Sequence, residues 1–224
     1  MHIMEGFLPP LWCLIWYILS IPVVVYGVIK IKNIINNIPE SKPLLAVTGA
    51  FMVIISIFSV PSPTGGCYHI TGNGLNAAIF GPVITAALSV IVLLFDLFFT
   101  GHGGITTLGA SIFAYGIIGP FAAWGIYRLI IRFNIRSDVA IFFAAIFGNL
   151  FTYATTSLQF ALAFPEPNFF EAYLKFLAIY SFQILVSIAE GIITVLIWKG
   201  LKQYNKKILV KLRLLGKTES GNLT

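Results

Sequence analysis

Charged side chains are scarce in this sequence, which has only 14 Lys and Arg and 8 Asp and Glu residues among 224. Soluble domains carry about 25% charged residues, whereas this chain carries 10% and is 58% hydrophobic. Several apolar stretches reach the roughly 18 residues that a membrane-crossing helix needs, and no polar stretch is long enough for a separate soluble domain. The composition therefore predicts an all-α integral membrane protein that forms one membrane domain over residues 1–224.

Sequence features of several enzyme classes are missing as well. The two cysteines, Cys13 and Cys67, are too few for a disulfide framework or a zinc motif of paired cysteines. The chain has no Gly-rich P-loop with its lysine, and neither a Gly-x-Ser-x-Gly nor a His-Glu-x-x-His motif. We therefore expect no enzymatic activity, and any ATP hydrolysis would belong to partner chains.

The net charge of +6 would suggest a nucleic-acid partner if the chain were soluble. Here the basic residues lie between and after apolar stretches, where the positive-inside rule expects them. We therefore expect the lipid bilayer as surroundings and no nucleic acid.

The order of apolar stretches and basic groups predicts the topology. Apolar stretches predict membrane helices at approximately 9–30, 43–60, 105–132, 138–163 and 172–199, and the stretch 74–100 is broken by Gly81-Pro82. The basic groups at Lys30 to Lys42, Arg128 to Arg136 and Lys199 to Lys217 all reach the cytoplasm only if the broken stretch crosses twice. This predicts about seven segments, with the amino terminus outside and the carboxyl terminus in the cytoplasm.

The first half of the broken stretch is the unusual part of this topology. Residues 71–80 span only about 15 Å as a helix, so this segment must be short, tilted or re-entrant. A break after Gly119-Pro120 would satisfy the same parity and stays open as an alternative. Within the single domain we expect a helix bundle over 9–199 and a basic cytoplasmic tail over 200–224.

All three histidines of the chain fall on the predicted outer face. His2 lies at the amino terminus, His69 in the loop "PSPTGGCYHITGNG" and His102 in "TGHGG". An amino-terminal X-His dipeptide offers the α-amine, the amide nitrogen and the imidazole Nδ1 to one metal. Such nitrogen sites suit Cu(II) and Ni(II), and imidazole also serves Co(II). On the dipeptide alone, a frayed and solvated terminal residue is the alternative.

Three motifs resemble those of a known transporter family. "MHIMEGFLP" at the amino terminus, "TGGCYHITGNGL" at 64–75 and "HGGITTLGA" at 102–110 resemble the CbiM and NikM family. Its members are substrate-binding membrane (S) subunits of energy-coupling-factor cobalt and nickel importers. The resemblance covers nearly the whole chain and implies an S-component-like fold with an extra amino-terminal helix, in the plasma membrane of a prokaryote. The Cys-x-His-x-Thr-Gly form of the loop favours Co(II) linked to cobalamin synthesis, with Ni(II) as the alternative.

The resemblance also implies the metal ligands. Carried over by motif, they are the Met1 amine, the His2 amide and imidazole nitrogens, and the loop residue His69. The resemblance also implies that the amino-terminal segment 1–8, which carries Met1 and His2, folds back into the protein. Cys67 and His102 are further candidates for ligands or for neighbours that orient the ligands, although a small buried thiol and a structural histidine are the plainer interpretations. Glu5 could bond to the loop that carries His2, pair with a group on an inner helix, or stay solvated on the outer face.

Partners follow from the same resemblance. They would be a membrane coupling (T) subunit, ATPase (A) subunits and a small accessory membrane subunit. Ala46 and Ala50, one helical turn apart, form a small-residue face that would let a helix of the coupling subunit approach closely. Two other function classes are a passive cation channel lined by polar residues in the spans and a membrane redox protein with His69 and His102 as haem ligands.

Overall fold

The computed structural model describes residues 2–61, 67–204 and 209, with residues 59–61 and 67 through their backbone alone. Within these ranges the chain forms seven continuous helical segments, and five of them are long and apolar enough to cross a membrane. Those five are Pro10–Asn37, Pro82–Thr100, Leu108–Arg132, Ser137–Ala163 and Phe169–Tyr204. The prediction of an all-α membrane protein with about seven segments is confirmed. The tail residues 205–208 and 210–224 lie outside the described part of the chain.

Nine α-helices make up these segments in the described ranges. They are α1 (Pro10–Asn37), α2 (Ser41–Ser56), α3 (Asn73–Phe80), α4 (Pro82–Phe95), α5 (Leu108–Ser111), α6 (Gly119–Arg132), α7 (Ser137–Ala163), α8 (Phe169–Ile179) and α9 (Gln183–Tyr204). A π-helical turn, Asp96–Thr100, extends α4, another, Ile112–Ile118, joins α5 to α6, and a 3-10 turn, Tyr180–Phe182, joins α8 to α9. An antiparallel hairpin of β1 (Ser59–Pro61) and β2 (Cys67–His69) follows α2 and pairs Ser59 with His69.

The break at Gly81-Pro82 lies where the sequence predicts it. Gly81 has φ +87°, a conformation that favours glycine, and Pro82 begins α4, where no intrahelical N–H bond is required. Helix α3 before the break has eight residues, all of them buried. At about 12 Å it is too short to cross a membrane alone, so β2 and the turn before α3 supply the rest of this passage.

Two expected boundaries differ from the structure. The second membrane helix was expected to reach residue 60, but α2 ends at Ser56 because the hairpin begins at Ser59. The alternative break after Gly119-Pro120 is wrong, since the π-helical turn Ile112–Ile118 continues directly into α6. Pro120, which has no N–H to donate, sits directly after this turn and leaves the helical segment continuous.

The bundle has two chemically different ends. Lys30 and Arg128 line one pocket together with Gly81, and Lys202 pairs with Asp138 at the start of α7. The basic residues of α1, α6 and α9 therefore share one end, which we call the basic end. The hairpin and the carboxyl ends of α2 and α4 lie at the opposite end, and there the three histidines meet.

Candidate metal site

The amino-terminal segment folds back onto the start of α5. The side chains of Ile3 and Leu8 are buried in a cluster that includes Trp16. The Thr107 hydroxyl donates a 2.5 Å hydrogen bond to the Ile3 carbonyl, and the Ile3 N–H points to Ser111 Oγ at 3.5 Å. Burial of these apolar side chains holds the segment in place and carries His2 into the protein.

Glu5 anchors the same segment from its exposed side. Its carboxylate accepts hydrogen bonds from the Thr106 N–H at 3.2 Å and from the Thr106 hydroxyl. The hydroxyl bond is the main reason that the pKa of Glu5 is lowered from its ordinary value. Gly104 allows this contact, because a Cβ there would lie 2.5 Å from Glu5 Oε2 and 2.7 Å from Glu5 Cα.

His2 and His69 face each other with their ring nitrogens. His2 Nδ1 lies 3.1 Å from His69 Nε2, and the two residues are only 2% and 1% exposed. Two nitrogens bound to one metal at about 2.0–2.1 Å and roughly at a right angle lie about 2.9 Å apart. The separation of the two imidazole nitrogens therefore matches that of adjacent ligands on one metal ion.

The neighbours of the two rings determine which nitrogens carry protons. His69 Nδ1 lies 2.8 Å from the Ser56 carbonyl oxygen, which can only accept, so Nδ1 donates and Nε2 keeps its lone pair. His2 Nε2 lies 3.3 Å from Asp96 Oδ2, and neither atom has a hydrogen-bond partner among the described residues. A proton on His2 Nε2 satisfies the Asp96 carboxylate and leaves the Nδ1 lone pair directed at His69.

Burial also keeps both imidazoles neutral. The pKa of His2 and that of His69 are well below the ordinary value, chiefly because burial disfavours the charged form. Neutral imidazole is the metal-binding form. Two neutral rings with facing lone pairs repel each other unless a proton or a metal ion lies between them.

The backbone of His69 is fixed by polar side chains from two membrane helices. Its N–H donates to the Tyr153 hydroxyl at 2.7 Å. Its carbonyl accepts from Asn149 Nδ2 at 3.1 Å and from Gln183 Nε2 at 2.8 Å. A third intramembrane amide, Gln159, donates to the Ala110 carbonyl at 3.0 Å, next to the surface on which the amino-terminal segment packs. These polar residues of α7 and α9 thus position the two loops that carry the site.

Glu190 binds the turn that follows β2. Its carboxylate accepts from the Thr71 N–H at 2.8 Å, the Thr71 hydroxyl at 2.7 Å and the Gly72 N–H at 2.8 Å. Asn149 Nδ2 is a further donor to it. A carboxylate fully buried in a membrane bundle requires such a complete set of donors, and the turn beside His69 provides most of it.

The other predicted site residues have different surroundings. The ring of His102 lies 5.7 Å from that of His69 and 6.3 Å from that of His2, and its Nδ1 is 2.9 Å from Thr100 Oγ1. Met1 and the side chain of Cys67 lie outside the described part of the chain. No group of three or more His, Cys, Asp or Glu side chains able to hold a metal occurs in the described ranges. Apart from His2 and His69, the predicted donors are a main-chain amide and an amine.

Two residues of the site were not predicted from the sequence. They are Asp96, which follows directly after α4, and Ser56, the last residue of α2. The Ser56 hydroxyl donates to Asp96 Oδ1 at 2.9 Å, while the Ser56 carbonyl accepts from His69, so this residue contacts one histidine directly and the carboxylate beside the other. A buried carboxylate at the end of an apolar span is the one sequence signal that could have indicated Asp96.

Comparisons with known proteins identify one family. The profile "CbiM: Cobalt uptake substrate-specific transmembrane region" matches residues 2–208. The chain is 51% identical over 220 residues to a CbiM homologue of Methanocaldococcus jannaschii, covering 98% of this chain and 94% of the relative. It is 46% identical over 218 residues to the cobalt transport protein CbiM of Lachnoclostridium phytofermentans, covering 96% and 87% of the two chains.

Two solved structures share the fold. One is a transition metal transporter with a TM-score of 0.79 and 26% identity, covering 95% of this chain and all of that one. The other is a truncated transition metal transporter with a TM-score of 0.78 and 27% identity, covering 91% of this chain and 99% of that one.

Proposed function

Because the chain belongs to the CbiM family of cobalt-uptake membrane proteins, we propose that it is the substrate-binding subunit of an ATP-driven energy-coupling-factor importer. In this proposal it captures Co(II) on the outer face of the cell at His2 and His69. Uptake would supply the metal for cobalamin synthesis. Ni(II) is the alternative cargo at the same nitrogen donors.

One observation carries the metal site: the ring nitrogens His2 Nδ1 and His69 Nε2 lie 3.1 Å apart between two buried imidazoles. The Ser56 carbonyl holds His69 in the tautomer that metal binding requires, and Asp96 Oδ2 lies 3.3 Å from His2 Nε2, the ring nitrogen that would carry the proton, as outer partners of metal-bound histidines do. We propose that the Met1 amine and the His2 amide complete a four-nitrogen site. The folded-back position of residues 2–8 supports this, because it brings His2 to His69.

An elemental analysis of two proteins tests the ligand set. One has its native start, and the other is extended by one residue ahead of Met1, which moves the free amine and leaves every side chain in place. The matched control carries the same added residue at its carboxyl end. We expect about one cobalt per chain in the native and control proteins and loss of cobalt from the amino-terminal extension. Equal cobalt in all three would reject the amine ligand, and preferential nickel content would identify the other cargo.

We also propose an orientation with the amino terminus outside and the carboxyl terminus in the cytoplasm. The support is the grouping of Lys30, Arg128 and Lys202 at the end of the bundle opposite the histidines. Cysteine-free protein with single cysteines added at either end, labelled in whole cells with an impermeant reagent, tests this. Labelling at the basic end would contradict the proposed orientation.

The partners proposed for this subunit are a membrane coupling subunit, ATPase subunits and a small accessory membrane subunit. Ala46 and Ala50 are both exposed on α2, and Ala50 lines an apolar groove of about 640 Å³ that Ile193 and Ile197 of α9 also border. An exposed small-residue face of this kind suits a closely packed helix. Ala50→Leu should reduce co-purification of the coupling subunit, whereas Ala178→Leu, at an exposed alanine of α8, should not. Equal co-purification of both variants would reject this contact.

A further inference from the structure

Helices α7 and α9 border a second groove. It lies at the basic end of the bundle, opposite the end that holds the histidine site. Its volume is about 550 Å³, within the range of roughly 300–1,000 Å³ that is typical of ligand pockets. Arg136 and Lys199 lie at its charged rim, and Phe142, Phe143, Ile192 and Leu196 form its apolar walls.

The walls of this groove run into the apolar part of the bundle. From Lys199 back to Ile192, helix α9 covers about 10 Å, and the start of α7 from Arg136 to Phe143 covers a similar length. Phe143, Ile192 and Leu196 are exposed, the last two by 53% and 63%. The apolar walls are therefore open to the hydrocarbon chains around the protein, while the rim lies at the level of basic side chains.

The rim carries an excess of positive charge. Asp138 also lines the groove, but its carboxylate is already paired with Arg136 at 3.1 Å and with Lys202. Lys199 has no ion pair or hydrogen bond within the described ranges, and the Arg136 side chain is 75% exposed. One carboxylate thus stands among three cations, which leaves two positive charges for an anionic ligand.

We propose that this groove binds one anionic phospholipid. Its phosphate lies between the Arg136 guanidinium and the Lys199 ammonium, and one acyl chain lies along Phe143, Ile192 and Leu196. Basic pockets between membrane helices bind acidic lipid headgroups. The cations neutralise the phosphate charge at the interface, while the acyl chain stays in apolar surroundings. A free phosphate would use the rim alone and would leave the apolar walls without a role.

Native mass spectrometry of the detergent-purified protein tests this proposal, with phosphatidylglycerol and phosphatidylcholine added at matched concentrations. We expect one phosphatidylglycerol to bind more tightly than phosphatidylcholine. Lys199→Gln and Arg136→Gln should each reduce that preference about fivefold, since each cation near a lipid surface attracts anionic lipid by a comparable factor. Lys42→Gln removes an exposed cation that does not line this groove, so it should leave the preference unchanged.

A second variant separates the lipid from other occupants. Leu196→Trp fills the apolar wall without changing the charge, so it should weaken binding of both lipids, and glycerol 3-phosphate should not compete with phosphatidylglycerol. A phosphatidylglycerol with a photoreactive acyl chain should label peptides 139–143 and 192–199 in the native protein. Equal binding of the two lipids, an equal loss in Lys42→Gln, competition by glycerol 3-phosphate, or no labelling of these peptides by the photoreactive lipid would each overturn the proposal.

Discussion

The carboxylate of Glu190 accepts hydrogen bonds from both the N–H and the hydroxyl of Thr71, at 2.8 and 2.7 Å, although 119 positions separate the two residues. This contact ties the middle of α9 to the turn that leads from His69 into α3. The histidine site therefore depends on a buried carboxylate that does not itself face the metal ligands.

We predict that Glu190→Gln destabilises the protein and weakens cobalt binding. The glutamine amide would place donors against the N–H groups of the turn, and losing a hydrogen bond to a charged group costs about 1.5–3 kcal/mol. Thermal unfolding in detergent should show a lower midpoint. Glu166→Gln, at an exposed loop position, serves as the control and should behave like the unaltered protein. An unchanged midpoint for Glu190→Gln would show that the carboxylate is not required for the turn.

Asp96→Asn should weaken cobalt binding without unfolding the bundle. The carboxylate favours a proton on His2 Nε2, and losing an outer partner of a metal-bound histidine typically costs about 10- to 100-fold in affinity. Isothermal titration with CoCl2 measures this loss. Asp138→Asn, at the basic end, is the matched control and should bind cobalt as the native protein does. Native-like affinity in Asp96→Asn would contradict the positioning role.

Gly104→Ala should prevent the amino-terminal segment from docking. The added Cβ would meet Glu5 atoms at 2.5 to 2.8 Å, and most of these atoms belong to the backbone, so the segment must move. We expect loss of cobalt binding and faster proteolysis before residue 10. Gly125→Ala on α6 has open space around its Cβ and should change neither property. Retained cobalt binding in Gly104→Ala would show that the close contact with Glu5 is unnecessary.

The docked segment should be less stable in acid. Burial holds the pKa of His2 and of His69 below the ordinary value, so the undocked rings bind protons below about pH 6.5 while the buried rings do not. Since the undocked state then binds more protons, docking stability is fully present above about pH 6.5 and falls as the pH drops below it.

Hydrogen exchange of residues 2–8 at pH 7.5 and pH 5.5, after correction for the intrinsic exchange rate, measures this loss of protection. Amides of α6 provide the internal reference and should keep their protection. Equal protection of residues 2–8 at both pH values would contradict the expected proton uptake.

Much of the architecture follows from local features of the sequence. Apolar length and the positions of basic residues predict seven segments, and the described part of the chain forms seven helical segments with a break at Gly81-Pro82. The exact form of the short passage before Gly81 does not follow from these local features. Helix α3 has only eight residues because all of them are surrounded by protein, so no hydrocarbon thickness sets its length.

The motifs also indicate the three histidines, but not which atoms meet. Asn149, Gln183 and Glu190 are conspicuous in apolar spans, yet only the packing of α7 against α9 shows that they bind the backbone of residues 69–72. The roles of Ser56 and Asp96 likewise depend on how α2 and α4 end beside each other.

The sequence by itself determined the membrane environment, the number of segments and the family resemblance, because hydropathy, charge and motifs act over neighbouring residues. Only the tertiary structure decided that His2 Nδ1 and His69 Nε2 lie 3.1 Å apart. That distance joins positions 67 residues apart, and it results from the burial of Ile3 and Leu8, the turn held by Glu190 and the hydrogen bonds around both rings. Contacts of this kind arise from helix packing, which no short stretch of sequence contains.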